Sequence, residues 1–430
     1  MKINIVKYPS YKDSGVEWLG EIPEHWEVLS NKNIFKLKKN QVGKKSSDYV
    51  LLSLTLNGVI KRDMDNPQGK FPAEFNTYQE VKKGDFIFCL FDVEETPRCV
   101  GLSEFEGMIT GAYTVMESNG NFDRNYLYYF YLNLDADKRL KPLYTGLRNT
   151  ISKENFFSFK SFIPPLPEQT AIAAFLDRKT ALIDQAIGIK QKQIELLKER
   201  RQILIHKAVT RGLNPNVKMK DSGVEWIGEI PEGWEVVRSK TLFTERKERA
   251  RENDIQLTSS QKFGVIPQLE YMAIEGRRVT QVEFNREIQK HVEKGDFMIS
   301  MRSFQGGIEY SEYEGCISSA YVSLIPCDLI VSSYYKYLLK SDRYIEALQS
   351  TSNLVRDGQA LRYDNFKQVD LMKIPKEEQI SIASYIQKST TKIATAISLK
   401  EKEIEKLKEY KATLINSAVT GKMKVMKNDE

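Results

Sequence analysis

Two stretches of the chain repeat one apolar rhythm. Leu176, Ile183, Ile187, Ile194, Leu197 and Leu204 fall on steps of alternately three and four residues once Thr180, Lys190 and Arg201 are counted in the series. Ile386, Ile393, Ile397, Ile404, Leu407 and Leu414 repeat it, with Thr390, Lys400 and Lys411 at the matching interruptions, at a constant offset of 210. This spacing places one apolar seam along a long helix. Each stretch is entered through proline, Ile163-Pro164-Pro165-Leu166-Pro167 and Ile374-Pro375, and then runs without further proline to about His206 and about Asn416. That predicts two helices of about 37 residues, roughly 55 Å long. A seam of that length requires a mate in water, and the sibling helix is the mate expected.

The pattern elsewhere is also duplicated. Asp13-Ser14-Gly15-Val16-Glu17-Trp18-Leu19-Gly20-Glu21-Ile22-Pro23-Glu24-His25-Trp26-Glu27-Val28 recurs as residues 221–236, with changes only at Leu19/Ile227 and His25/Gly233. Further matches keep the same order: Val81-Lys82-Lys83-Gly84-Asp85-Phe86 with Val292-Glu293-Lys294-Gly295-Asp296-Phe297, Ala112-Tyr113 with Ala320-Tyr321, and Glu168-Gln169 with Glu378-Gln379. The offset drifts between 208 and 211, as it does when loops change length on a fixed scaffold. Between these anchors the halves diverge. Each diverged stretch mixes short β-prone runs (50–54, 85–91, 297–301, 320–325) with Gly/Asn/Asp turns and one tyrosine-rich helical segment, 126–134 or 334–339.

The predicted fold class is α/β (α+β): two globular domains in tandem, each followed by a long helix, with the helices paired as an antiparallel coiled coil about a pseudo-twofold axis. The order is an N-terminal repeat motif (1–28), a first domain (29–165), the central helix (166–212), a linker with the second motif (213–236), a second domain (237–375), and a C-terminal helix and tail (376–430). By the symmetry argument, the first motif should lie near the end of the second helix, which brings the two termini close together.

Composition narrows the chemistry. The chain has 430 residues, 41% hydrophobic and 28% charged, enough apolar material to core several domains. It contains no run of apolar residues long enough for a membrane span, and its start lacks a signal-peptide pattern, so a cytoplasmic location is expected. Cys89, Cys99, Cys316 and Cys327 form no Cys-x-x-Cys pair, and His25, His206 and His291 are far apart, so neither a zinc site nor a disulfide framework is expected. A net charge of +6 permits a polyanionic partner without demanding one.

All four tryptophans, Trp18, Trp26, Trp226 and Trp234, sit in the duplicated motif and are read as structural anchors. Basic residues follow each motif: Lys32, Lys36, Lys38, Lys39, Lys44 and Lys45 in the first half, and Arg246, Lys247, Arg249 and Arg251 in the second. They could meet phosphates or form a solvated charged face. Arg277, Arg278, Arg302, Gln305, and Arg148 and Arg356 before the long helices are further candidates for DNA contact. Phosphate-binding loops, dinucleotide fingerprints, hydrolase elbows and metalloprotease motifs are all absent from the sequence, so no catalytic residue or metal ligand is assigned.

These residues resemble one family. Gly15-Val16-Glu17-Trp18-Leu19-Gly20-Glu21-Ile22-Pro23-Glu24-His25-Trp26 resembles the opening of the specificity subunits of type I restriction-modification systems. Ile163-Pro164-Pro165-Leu166-Pro167-Glu168-Gln169-Thr170-Ala171-Ile172 with Ile183-Asp184 resembles their central repeat. The second copy, Ile374-Pro375-Lys376-Glu377-Glu378-Gln379-Ile380, has lost two of the three prolines. The resemblance implies two target recognition domains, each reading half of a bipartite asymmetric site on double-stranded DNA, with the helices setting the unread gap. It implies two methyltransferase subunits and two restriction/translocase subunits as partners, and these would hold the S-adenosylmethionine, ATP and Mg²⁺ sites. This chain would then be a non-catalytic prokaryotic subunit that binds no cofactor. An orphan methylation adaptor, a silent specificity cassette and a protein scaffold without DNA contact are the alternatives.

Overall fold

The computed structural model describes residues 6–63, 75–145, 148–276, 286–300, 303–351 and 361–425. The chain packs as two compact units, residues 1–190 with 402–430, and residues 191–401. Each unit therefore combines a globular domain with parts of both long helices.

In the first unit the motif folds as an antiparallel pair, Tyr11–Asp13 with Glu21–Pro23. Glu27–Ser30 then pairs with Lys160–Ile163, so the domain that opens after the motif is zipped shut where the proline run begins. Inside lies a four-stranded antiparallel sheet in the order Phe35–Leu37, Thr114–Ser118, Phe86–Phe88, Val100–Leu102. A hairpin (Leu52–Thr55 with Gly58–Lys61) and a second pair (Gln79–Val81 with Gly107–Ile109) form two separate two-stranded sheets. The tyrosine-rich segment is the helix Arg124–Ala136, capped by the Asp123 carboxylate, which accepts from the Tyr126 N–H at 3.0 Å. Tyr126 and Tyr131 are buried while their hydroxyls reach polar partners, Tyr126 on the Phe162 carbonyl at 2.8 Å and Tyr131 on Asn31 Oδ1 at 2.6 Å.

The second unit repeats this frame. Glu235–Arg238 pairs with Asp370–Lys373, and the central sheet runs Phe243–Arg246, Val322–Pro326, Phe297–Ile299, Glu309–Tyr310. The hairpin Leu257–Ser260 with Gly264–Pro267 and the pair Lys290–Val292 with Gly315–Ile317 take the same places. The helix Ser332–Leu338 sends the Tyr335 hydroxyl to the Met372 carbonyl at 2.6 Å. The topology is thus shared across stretches whose sequences had diverged. Every ladder between these strands is antiparallel, so within the α/β (α+β) expectation the domains are of the α+β kind.

The long helices exceed the expected 37 residues: Leu166–Arg211 has 46 and Lys376–Val419 has 44, about 69 and 66 Å. Pro167 is the second residue of its helix, where a missing N–H forfeits no intrahelical bond, so the helix starts inside the proline run. At the other ends they continue to Gly212 and Gly421, both at φ +72°, the left-handed terminator.

None of the twelve seam residues is exposed. Leu176, Ile386 and Leu414 are fully or almost fully buried. In the first unit the two helices run antiparallel: Lys411 Nζ donates to both oxygens of Asp184 at 2.7 and 2.6 Å, and Lys190 Nζ meets Glu403 Oε2 at 2.7 Å. Lys190 on the seam is therefore satisfied by an acid from the facing helix. In the second unit Leu204, Ile205, Ala208 and Val209 share a core with Ile382, Ala383 and Ile386.

His206, half-buried on the first long helix, has its pKa lowered by burial and then by Arg343 and Arg211. Protonation therefore favours the unfolded chain. Its contribution is complete above the unfolded histidine value of about 6.5 and is lost as pH falls below it towards the lower folded value. His206→Gln is expected to flatten the fall in urea midpoint between pH 7 and pH 5. Parallel curves for the two proteins would refute that role.

Candidate nucleic-acid interface

The duplicated anchors turn out to be a set of joints. Trp26 is fully buried and its indole N–H donates to Glu168 Oε1 at 3.0 Å; Trp234 does the same to Glu378 Oε2 at 2.9 Å. The adjacent glutamines tie each helix start to its domain. Gln169 accepts from the Asp123 N–H at 2.9 Å and donates to the Pro164 carbonyl at 2.8 Å, while Gln379 accepts from Val331 N–H at 2.7 Å and donates to the Ile374 carbonyl at 2.7 Å. The Glu-Gln repeat was visible in the sequence, but its role as the coupling between motif, helix and domain was not. The outer tryptophans are half-buried, Trp18 under the Arg139 guanidinium at 4.6 Å and Trp226 edge-on to Tyr344 at 5.6 Å.

The end of the second long helix closes the first motif. A Cβ on Gly421 would lie 2.2 Å from Pro23 Cδ and 3.4 Å from the Trp26 ring, so only glycine fits there. Tyr11 donates to the Gly421 carbonyl at 3.2 Å, and Lys424 N–H to the Val6 carbonyl at 2.8 Å, which brings the two ends of the chain together as expected.

The repeated Lys-Gly-Asp-Phe turn sorts the basic candidates. Asp85 accepts from the Lys82 N–H at 2.7 Å across a turn that holds Gly84 at φ +88°, and Asp296 accepts from Glu293 N–H at 3.0 Å across Gly295 at φ +105°. Each buried carboxylate then takes one cation from the end of the edge strand, Phe35–Leu37 or Phe243–Arg246, two places away in the sheet. Lys38 Nζ lies 2.5 Å from Asp85, and Arg246 grips Asp296 with two bonds of 2.7 and 3.0 Å. Lys38 and Arg246 occupy equivalent positions and are held as internal ion pairs, with side chains only 11% and 12% exposed.

The remaining described candidates stand on the surface. Lys32, Lys39, Lys44 and Lys45 are exposed, with no side-chain ion pair or hydrogen bond among the described residues, the last two on the short 3₁₀ helix Gly43–Asp48. Lys36 is exposed beside Glu117 at 3.5 Å, and Arg148 forms a two-pronged surface pair with Asp92. In the second domain Lys247 is exposed, Arg249 donates to the Ile288 carbonyl at 3.0 Å, and Gln305 is exposed on the turn of helix Ser303–Gly306. Lys39 and Lys247 directly follow the paired cation in sequence, just past the strands Phe35–Leu37 and Phe243–Arg246, so both domains offer an exposed charge at the same place. Arg277, Arg278, Arg302 and Arg356 lie outside the described residues. All four cysteines are free thiols, and among the described residues no helix is long and apolar enough to cross a membrane.

Two copies of one frame, keyed alike to paired helices but surfaced differently, define a tandem recognition protein. Comparison with known proteins shows what it is similar to. Residues 104–199 match the type I restriction modification DNA specificity domain. The chain is 26% identical over 425 residues to the "Putative type I restriction enzyme MjaX specificity subunit" of Methanocaldococcus jannaschii, covering 95% of this chain and 96% of that one. It is 25% identical over 421 residues to the type I restriction enzyme MjaVIII specificity subunit of the same organism, covering 94% of each. Among solved structures, a chain from work on complex assembly and conformational transition of the type I R-M system matches with a TM-score of 0.64 at 13% identity, over 93% of this chain and 98% of that one. The HsdS subunit from Thermoanaerobacter tengcongensis matches with a TM-score of 0.51 at 14% identity, over 94% and 98%. Residues 104–199 thus carry a type I restriction modification DNA specificity domain, and nearly the whole chain is similar to type I restriction enzyme specificity subunits.

Proposed function

We propose that the two domains are the target recognition domains of a bipartite DNA site, each reading one half, and that the long helices set the gap and dock methyltransferase subunits. The observation that carries this is the common frame: identical sheet order and identical Lys/Arg–Asp joints, with different exposed residues mounted on each. Equivalent frames suit equivalent partners, and divergent surfaces suit two different half-sites. Exposed cations fix register on phosphates, while base discrimination falls to neighbouring polar side chains.

Catalysis belongs, in this reading, to partner subunits: two methyltransferase subunits carrying S-adenosylmethionine, and two restriction/translocase subunits using ATP and Mg²⁺. The similarity to type I restriction specificity subunits and the absence of catalytic motifs from the sequence support this division. The test is the methylated-base map of cells that express the chain with its neighbouring methyltransferase subunit, against cells lacking the chain. A two-part methyladenine motif that disappears with the chain is the expected result. An assembled complex that leaves no such motif would mean a scaffold or silent cassette.

Of the surface cations, Lys44 and Lys45 are the pair to remove first. Lys44→Ala with Lys45→Ala is expected to weaken DNA binding by the methyltransferase complex about equally on all sequences and to lower the salt slope by about one per lost phosphate contact. An unchanged slope would place them away from the DNA.

A further inference from the structure

One cluster in the second domain, beside the Arg246–Asp296 joint, carries residues that the first domain does not repeat. His291 lies on the strand Lys290–Val292 and is completely buried. Its Nδ1 is 2.9 Å from Asp254 Oδ2, and Asp254 is itself buried and further fixed by the Arg251 N–H at 2.8 Å. The other ring nitrogen, Nε2, is buried and has no hydrogen-bond partner among the described residues; Glu293 Oε1 is 3.7 Å away. Glu248 is brought alongside by the bond from His291 N–H to the Glu248 carbonyl at 3.0 Å. One ligand atom each from Glu248, His291 and Glu293 lie within 4.8 Å of one another.

We propose that His291 Nε2, Glu248 and Glu293 form a binding site for a divalent transition-metal ion of the zinc class. An imidazole with two carboxylates suits such an ion, and four-coordinate zinc with bonds of about 2.0–2.2 Å would need the three donors to close by about an ångström. The buried Asp254 supplies what histidine ligands ordinarily have, a carboxylate on the far nitrogen that fixes the tautomer and turns the free lone pair towards the ion. A buried ring nitrogen with no partner is unfavourable, and a bound ion removes that penalty.

The cluster already contains a cation that the ion must displace. Arg251 reaches Glu248 at 2.7 Å, Glu293 at 3.2 Å and Glu314 at 3.1 Å, and its side chain is 45% exposed. Glu314 lies outside the proposed ligand set, so the guanidinium can swing towards it and retain an ion pair. Arg246, which also touches Glu248 and Glu293 at 3.3 and 3.6 Å, keeps its bidentate grip on Asp296. The half-exposed glutamates give an ion its route in from solvent. In the first domain the equivalent positions carry Asn40, Glu80 and Lys82, with Asn40 donating to Glu80 at 3.2 Å, so the site belongs to the second domain alone.

The test is calorimetric titration of the chelator-treated full chain with Zn²⁺ alone. The expected result is one saturable ion per chain. Glu248→Gln with Glu293→Gln, changes at half-exposed side chains that leave the core untouched, should weaken it at least about tenfold. His291→Asn should abolish it, and Arg251→Ala should tighten it by removing the competing charge. His25→Ala, which removes the surface histidine beside Glu168, should change nothing. No saturable uptake by the unaltered chain, or uptake indifferent to the double glutamate change in a protein whose circular dichroism is unaltered, would overturn the proposal.

Discussion

Arg246→Ala is expected to destabilise the second domain by about 3–5 kcal/mol, the range for removing one partner of a buried ion pair, and to impair DNA binding chiefly through that loss. The Arg246 guanidinium makes two bonds to Asp296, whose side chain is only 2% exposed. Removing the cation strands a desolvated carboxylate, because the Glu293 N–H is the other partner that holds it. A phosphate-contacting arginine behaves oppositely: its loss lowers affinity and the salt slope while the unfolding midpoint stays within about 0.5 kcal/mol of wild type. Urea unfolding followed by circular dichroism, alongside DNA titration at two salt concentrations, separates the cases. A stable variant with a reduced salt slope would move Arg246 back to the DNA surface. Replacing Arg246 and Asp296 together by apolar residues of similar volume should recover much of the stability, since the cost lies in the unpaired charge.

That case shows where the sequence was informative and where it stopped. Periodicity placed both long helices because a seam repeated at constant offset has no other physical reading, and it missed their ends by several residues because proline in a first turn is silent in the pattern. The repeats located the joints: Trp26 and Trp234, Glu168 and Glu378, Asp85 and Asp296 all lie in motifs that recur. What they bind was not legible, since each partner comes from a distant segment, as Glu168 does for Trp26 across 142 residues. Lys38 looked like Lys39 in sequence, yet one is buried against Asp85 and the other is exposed, a difference set by an acid 47 residues further along the chain. The His291 cluster was invisible for a similar reason. Its members come from positions 248, 254, 291 and 293, and no motif spacing joins them.

Inserting four residues directly after Lys190 and four directly before Glu403 is expected to widen the gap in the methylated motif by one to two base pairs. These two side chains meet at 2.7 Å, so insertions in both helices of the pair at this point leave the register on either side intact. Four residues lengthen a helix by about 6 Å and turn it about 40° beyond a full revolution. One base pair advances DNA by about 3.4 Å and turns it by about 35°, given 10–10.5 base pairs per turn. The added rotation therefore matches one base pair closely, and the added length falls between one and two. The readout is again the methylated-base map, now of cells carrying the lengthened chain, with circular dichroism to show that helix content is kept. A motif with both half-sites unchanged and a wider gap supports the helices as the ruler. Methylation that persists at the original gap would show that the spacing is set elsewhere, by the domains' own contacts with the DNA or by the methyltransferase subunits.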